Sequence, residues 1–192
     1  FYTPQKVDQD QVILAPYQAK NTHMMGFSSR DEAFDLEVLP YVGIFNEYFG
    51  GGMNSIVFQE LRESRGLAYS AGASFSQASN DADRERFYTR IITQNDKVKD
   101  CLEVFDQIVE QMPISESAFS LARDAVLKRL ATERTLREDV LECYLRCRDR
   151  GLSEDPNRKV YEQVKTMKMD DLKAFHQREI ANRKYRLLLL GD

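Results

Sequence analysis

Residues 45–70 read FNEYFGGGMNSIVFQELRESRGLAYS, from Phe45 to Ser70, and this stretch decides the fold. Its first part closes an apolar series, Phe34, Val38, Tyr41, Val42, Phe45, Tyr48 and Phe49, whose three- and four-residue steps place one face of a helix against a core. That helix runs into Gly50, Gly51 and Gly52. Met53, Ile56, Val57, Gln59, Glu60 and Leu61 then suit a second helix, and Gly66 stands where a left-handed C-terminal cap stops it. Alternation of Tyr69, Ala71, Ala73 and Phe75 opens a strand over 67–77. The start of the first helix has two readings: a capping box of Ser29 with Glu32, kinked later by Pro40, or a start near Pro40 itself.

Upstream, Val12-Ile13-Leu14 and Met24-Met25-Gly26-Phe27 read as two strands or one broken strand. Downstream, residues 86–94 carry Phe87-Tyr88-Thr89 and Ile91-Ile92-Thr93, and the turn-prone segment 78–83 makes an antiparallel hairpin with the preceding strand. An amphipathic helix follows from Asp96, with Val98, Cys101, Leu102, Phe105, Ile108, Val109 and Met112 on its apolar face, and Pro113 ends it. Ser115 offers an N-cap for the next helix. Further helices are expected over 137–150, over 156–165 and from an Asp170 cap, and the chain closes with a buried strand, Tyr185 to Leu190. Strands on either side of a block of helices define an α+β domain, an antiparallel or mixed sheet with helices on one face, with residues 1–192 as a single domain.

Composition narrows the function. The chain has 192 residues, 42% hydrophobic and 30% charged, in keeping with a folded globular domain. Its net charge of -4 weighs against a general phosphate-backbone binder, so no nucleic-acid partner is expected. The tetrad Leu187 to Leu190 is the longest apolar run, far short of the roughly 20 residues that span a bilayer, so no membrane-spanning segment is expected. A soluble domain follows, its compartment unassigned. Phe1 in place of an initiator methionine reads as an excised or processed piece. Cys143 and Cys147, one helical turn apart, are read as core residues because no further Cys or His completes a ligand set.

The chemistry of a self-sufficient enzyme is absent from the pattern. Of the two histidines, His23 lies in a strand and His176 opens His176-Gln177-Arg178-Glu179-Ile180, where Ile180 occupies the place of a second metal ligand. His176 is therefore read as a surface or half-buried side chain. Neither a nucleophile elbow nor a Walker lysine is present. The three glycines suit a tight, φ-permissive turn between packed helices, with an anion-binding nest as the alternative.

The segment from Phe45 to Ser70 closely resembles the signature of the C-terminal, non-zinc-binding half of the pitrilysin/insulinase family of metallopeptidases: a helix, a GGGM-type turn, a helix reading FQELRExRGLAY and a strand. The resemblance extends through the hairpin, the long helices and the closing strand. It implies a composite zinc peptidase of two homologous halves enclosing a chamber, with this chain as the last domain of the second half. Zinc is then expected in the N-terminal half or a partner subunit, with no cofactor in this chain, and peptide is the expected substrate. The family's functional pair, an arginine followed seven residues later by a tyrosine, corresponds to Arg62 and Tyr69, with Arg65 a weaker candidate. Gly50, Gly51 and Gly52 are expected to line the chamber beside them. The alternative within the same fold is a non-catalytic structural or peptide-binding module. Apolar surface left by a missing neighbour also implies self-association of the isolated piece.

Overall fold

The computed structural model describes residues 4–191. Five strands form one mixed sheet: β1 (Gln11–Pro16), β2 (Asn21–Ser28), β3 (Ala68–Ser76), β4 (Arg86–Gln94) and β5 (Arg186–Gly191). Their order is β1-β5-β2-β4-β3, with β1 and β5 parallel and the other pairs antiparallel. Seven α-helices are present among the described residues: α1 (Leu39–Phe45), α2 (Ile56–Phe58), α3 (Val98–Glu110), α4 (Glu116–Thr132), α5 (Val140–Asp149), α6 (Asn157–Thr166) and α7 (Met169–Glu179). The α+β class and the mixed sheet are as the sequence order predicts.

Period-two alternation fixes which sheet face meets the helices. Thr22, Met24 and Ser28 of β2 and Phe87, Thr89, Ile91 and Thr93 of β4 are buried, while His23, Met25, Tyr88 and Arg90 turn to the other face. The core beneath is aromatic: Phe45 stacks on Phe49 with ring centroids 4.9 Å apart, and Phe75 meets Phe175 edge-on at 5.7 Å. Arg183 and Glu85, both essentially without solvent exposure, make a bidentate pair (2.8 and 3.3 Å) that ties the start of β4 to the α7–β5 connection.

Several expectations change. Of the two readings of the first helix, the start near Pro40 holds, at Leu39 with Pro40 in its first turn, where a missing N–H costs nothing, while the Ser29 capping box does not form and Ser29 is buried just after β2. The closing strand is half-buried along its length rather than buried, because helices cover one face of the sheet only. Val12 and Leu14 on edge strand β1 are exposed. At α7 the capping carboxylate is Asp171, which accepts from the Lys168 N–H at 2.8 Å, rather than Asp170. The Ser115 cap of α4 is present, accepting from the Ala118 N–H. Helix α5 buries no residue, so Cys143 and Cys147 lie half-buried on a surface helix and not in the core. Cys101 is the core cysteine, and burial pushes its thiol up to about 11.

Candidate functional site

The segment from Asn46 to Ser70 docks along β3, and glycine makes the approach possible. A Cβ on Gly50 would sit 2.1 Å from the Ala73 carbonyl oxygen and 2.5 Å from its nitrogen, so no larger side chain fits without moving backbone. The Asn46 side chain fastens the same contact, donating to Phe75 O and accepting from Phe75 N, each at 2.8 Å. Gly51 and Gly52 lie on the exposed rim. None of the three has a positive φ. Close backbone approach at Gly50 and Gly51, rather than the expected φ-permissive turn, accounts for their glycines.

Both flanking helices widen into π-helical turns, Asn46–Gly50 after α1 and Gln59–Ser64 after α2. Single π turns inside helices recur at functional sites because the extra residue per turn re-aims the side chains that follow. Arg62 sits on the second of these turns. Leu61 anchors it in the core, and Arg62 projects outward with its side chain 44% exposed. Gly66, at φ 58°, ends the turn as expected, its N–H donating to Arg62 O at 3.0 Å while Leu67 N–H donates to Leu61 O at 2.8 Å.

Two residues later the β3–β4 ladder slips. Ala68 pairs with Thr93 and Ser70 with Ile92, which leaves Tyr69 as the extra, unpaired residue of a β-bulge. A bulge turns its side chain out of the regular alternation. Tyr69 is 75% exposed, and the Arg62 guanidinium carbon lies 6.0 Å from its ring centroid. The same guanidinium lies 4.8 Å from the centroid of Phe58, one helical turn earlier, so an aromatic face steadies it from below. Its Nε is 3.8 Å from Glu63 Oε1, too long for a hydrogen bond. Arg65, by contrast, pairs with Glu60 at 3.2 Å.

The structure thus brings Arg62 and Tyr69 together on one accessible surface. Five guanidinium donors and a phenolic O–H can grip a peptide carbonyl or carboxylate there. Phe58 is a further contributor that the sequence reading omits, although its i, i+4 spacing to Arg62 marks the contact. His176 is buried rather than half-buried, and its Nε2 lies 2.7 Å from Val109 O, so it donates to that carbonyl. Burial holds its pKa below the ordinary histidine value. Among the described residues no three His, Cys, Asp or Glu side chains converge as a metal site, and no helix is long and apolar enough to cross a membrane.

The chain matches the peptidase M16 inactive domain over residues 2–126 and belongs to that family, in agreement with the resemblance carried by Phe45 to Ser70. It is 40% identical over 73 residues to an uncharacterized zinc protease of Streptomyces coelicolor, covering 36% of this chain and 15% of that protein. Among solved structures, a peptidase M16 inactive domain from Pseudomonas fluorescens superposes with a TM-score of 0.78 at 17% identity, over 99% of this chain and 45% of that one. A conserved protein from Enterococcus faecalis gives 0.79 at 13% identity, over the whole of this chain and 44% of that one. At such identities these structures share the fold. The chain spans less than half the length of each of these relatives.

Proposed function

We propose that this chain is the last, non-metal-binding domain of a composite zinc metallopeptidase, residues 1–192 forming one domain that supplies one wall of the active site. Arg62 and Tyr69 are the groups that act. They hydrogen-bond the substrate peptide beside the scissile bond and stabilise the negative charge that develops on its carbonyl oxygen during hydrolysis. Zinc, which supplies the activated water in such enzymes, belongs to an N-terminal half in the same chain or in a partner subunit. Gly51 and Gly52 form an exposed rim beside the pair, while Gly50 serves them from beneath by letting the segment seat on β3.

The observation that carries this reading is the convergence of two irregular backbone features, a π turn at Arg62 and a bulge at Tyr69, on one exposed point. A solvated helix-end cation and a strand aromatic require neither feature. Exposed Val12 and Leu14 on edge strand β1, with the half-covered β5 beside them, supply the surface that a neighbouring domain would bury. In the assembled enzyme, Arg62→Ala or Tyr69→Phe should lower turnover by about 10²- to 10³-fold, the loss typical of one oxyanion donor, with zinc content intact. Wild-type turnover in both variants would instead favour the non-catalytic structural module.

A further inference from the structure

Between α3 and the sheet lies a cavity of about 190 Å³ that neither Arg62 nor Tyr69 lines. An engineered apolar cavity of ~150 Å³ already admits benzene, so this one has room for a small organic group. Its walls are largely apolar: Met24, Gly26, Ile91, Leu102, Phe105 and Leu187 contribute. The one wall hydroxyl from β4, Thr89 Oγ1, is engaged by the Gly26 N–H at 3.1 Å.

Two polar features break the apolar lining. Tyr185 lines the cavity with its ring edge-on to Phe87, and its hydroxyl is buried without a hydrogen-bond partner among the described residues. A buried phenol left unsatisfied costs free energy that a ligand's hydrogen bond recovers. The mouth is acidic, formed by Asp10 and Asp106 with Glu110 one turn beyond Asp106 on α3. Asp10 is already matched, by Lys184 at 2.8 Å and the Tyr185 N–H at 2.9 Å, and Glu110 faces the Asn182 N–H at 3.2 Å. Asp106 is not. The apolar wall behind it, then the charges of Glu110 and Asp10, raise its carboxyl above the ordinary aspartate value, with no cation opposing them.

We propose that this cavity binds a primary amine on a short apolar stem, the stem among Met24, Ile91, Leu102 and Phe105 and the ammonium at Asp106. Shape selects the stem and charge selects the head. An ammonium carries three donors, enough for the Asp106 carboxylate and the Tyr185 phenol oxygen together. A carboxylate ligand of the same size meets Asp10, Asp106 and Glu110 as like charges. The same chemistry is presented by a free small amine and by the lysine side chain of a peptide.

Ligand-observed NMR on the full-length protein tests this with three probes: benzylammonium, its neutral isostere benzyl alcohol, and a blocked peptide with one central lysine. Benzylammonium, the lysine peptide or both should bind at least about tenfold more tightly than benzyl alcohol, as expected for one charge-assisted hydrogen bond. Asp106→Asn should remove that preference and Leu102→Trp, which fills the cavity, should abolish binding. Arg62→Ala should leave binding of the non-peptide probe benzylammonium unchanged, which separates this site from the peptidase reading. Tighter binding of the peptide assigns the site to a side chain, and tighter binding of benzylammonium assigns it to a free amine. Equal affinity for amine and alcohol, binding unaffected by Asp106→Asn, or no binding by either amine probe would overturn the proposal. The Asp106 variant lies at the solvent-exposed rim, so its result stands even if Leu102→Trp does not fold.

Discussion

Along β2 and β4 the side chains alternate between core and open face through every residue pair of an uninterrupted register. Between Asn46 and Ser70 the backbone departs from regular geometry repeatedly: a π turn, a second π turn, a left-handed glycine and a bulge. The first region is held by burial and shows its residues to the core. The second gives up regular hydrogen bonding and gains the placement of Arg62 and Tyr69 on one exposed surface. Irregular backbone persists where the surroundings over-determine it, and here Gly50 against Ala73 and Asn46 against Phe75 do so.

Substitutions in the two regions should therefore fail differently. The largest expected loss lies in the scaffold: Arg183→Ala leaves Glu85 as a buried, uncompensated carboxylate and should cost about 3–5 kcal/mol of unfolding free energy in denaturant titration. A loss below about 1 kcal/mol would mean that water reaches the pair. Next comes Gly50→Ala, whose added carbon overlaps the Ala73 backbone and should cost about 1–3 kcal/mol, with peptidase turnover falling further than stability explains. Unchanged turnover in a folded Gly50→Ala protein would disconnect the docking contact from the site. Gly66→Ala meets no clash and pays only for a side chain at φ 58°, about 1–2 kcal/mol. Gly66→Asn should recover part of that loss, because asparagine tolerates the left-handed region.

The smallest effect is the pH response of His176. Burial lowers its folded-state pKa below the unfolded value of 6.5, so the unfolded chain takes up a proton first as pH falls. Stability contributed by neutral His176 is therefore full above pH 6.5 and declines as pH drops from 6.5 toward the folded pKa. An NMR titration of the His176 ring with a midpoint at or above 6.5 would contradict this.

The same contrast explains what the sequence discloses. Strands β3 and β4 are legible as a hairpin because their apolar residues flank a turn-prone segment, while the short apolar run of β2 leaves one broken strand or two open until the pairing of β2 with β4 decides it. The glycine cap at Gly66 is legible because few other residues accept its backbone. The π turns are not, since an α-helix and a helix with one inserted residue share nearly the same apolar spacing around Leu61. The bulge at Tyr69 is likewise hidden, because alternation of Tyr69, Ala71 and Ala73 continues on paper through the point where the ladder slips. Cys143 and Cys147 mislead for a related reason: helical spacing locates a face but cannot say whether anything covers it. The Arg183–Glu85 pair joins residues 98 positions apart, beyond any local pattern. Arg62 and Tyr69 were found through the family signature, and spacing alone gave them no distinction.

If Arg62 and Tyr69 act on one developing charge, their contributions are coupled and not independent. The direct test is a double-mutant cycle on kcat/KM in the assembled enzyme, using Arg62→Ala, Tyr69→Phe and both together, with zinc content and stability measured for each. The account predicts that each single variant loses about 10²- to 10³-fold and that the double variant loses well short of the product of the two. Fully multiplicative losses, or wild-type kcat/KM in either single variant, would contradict it.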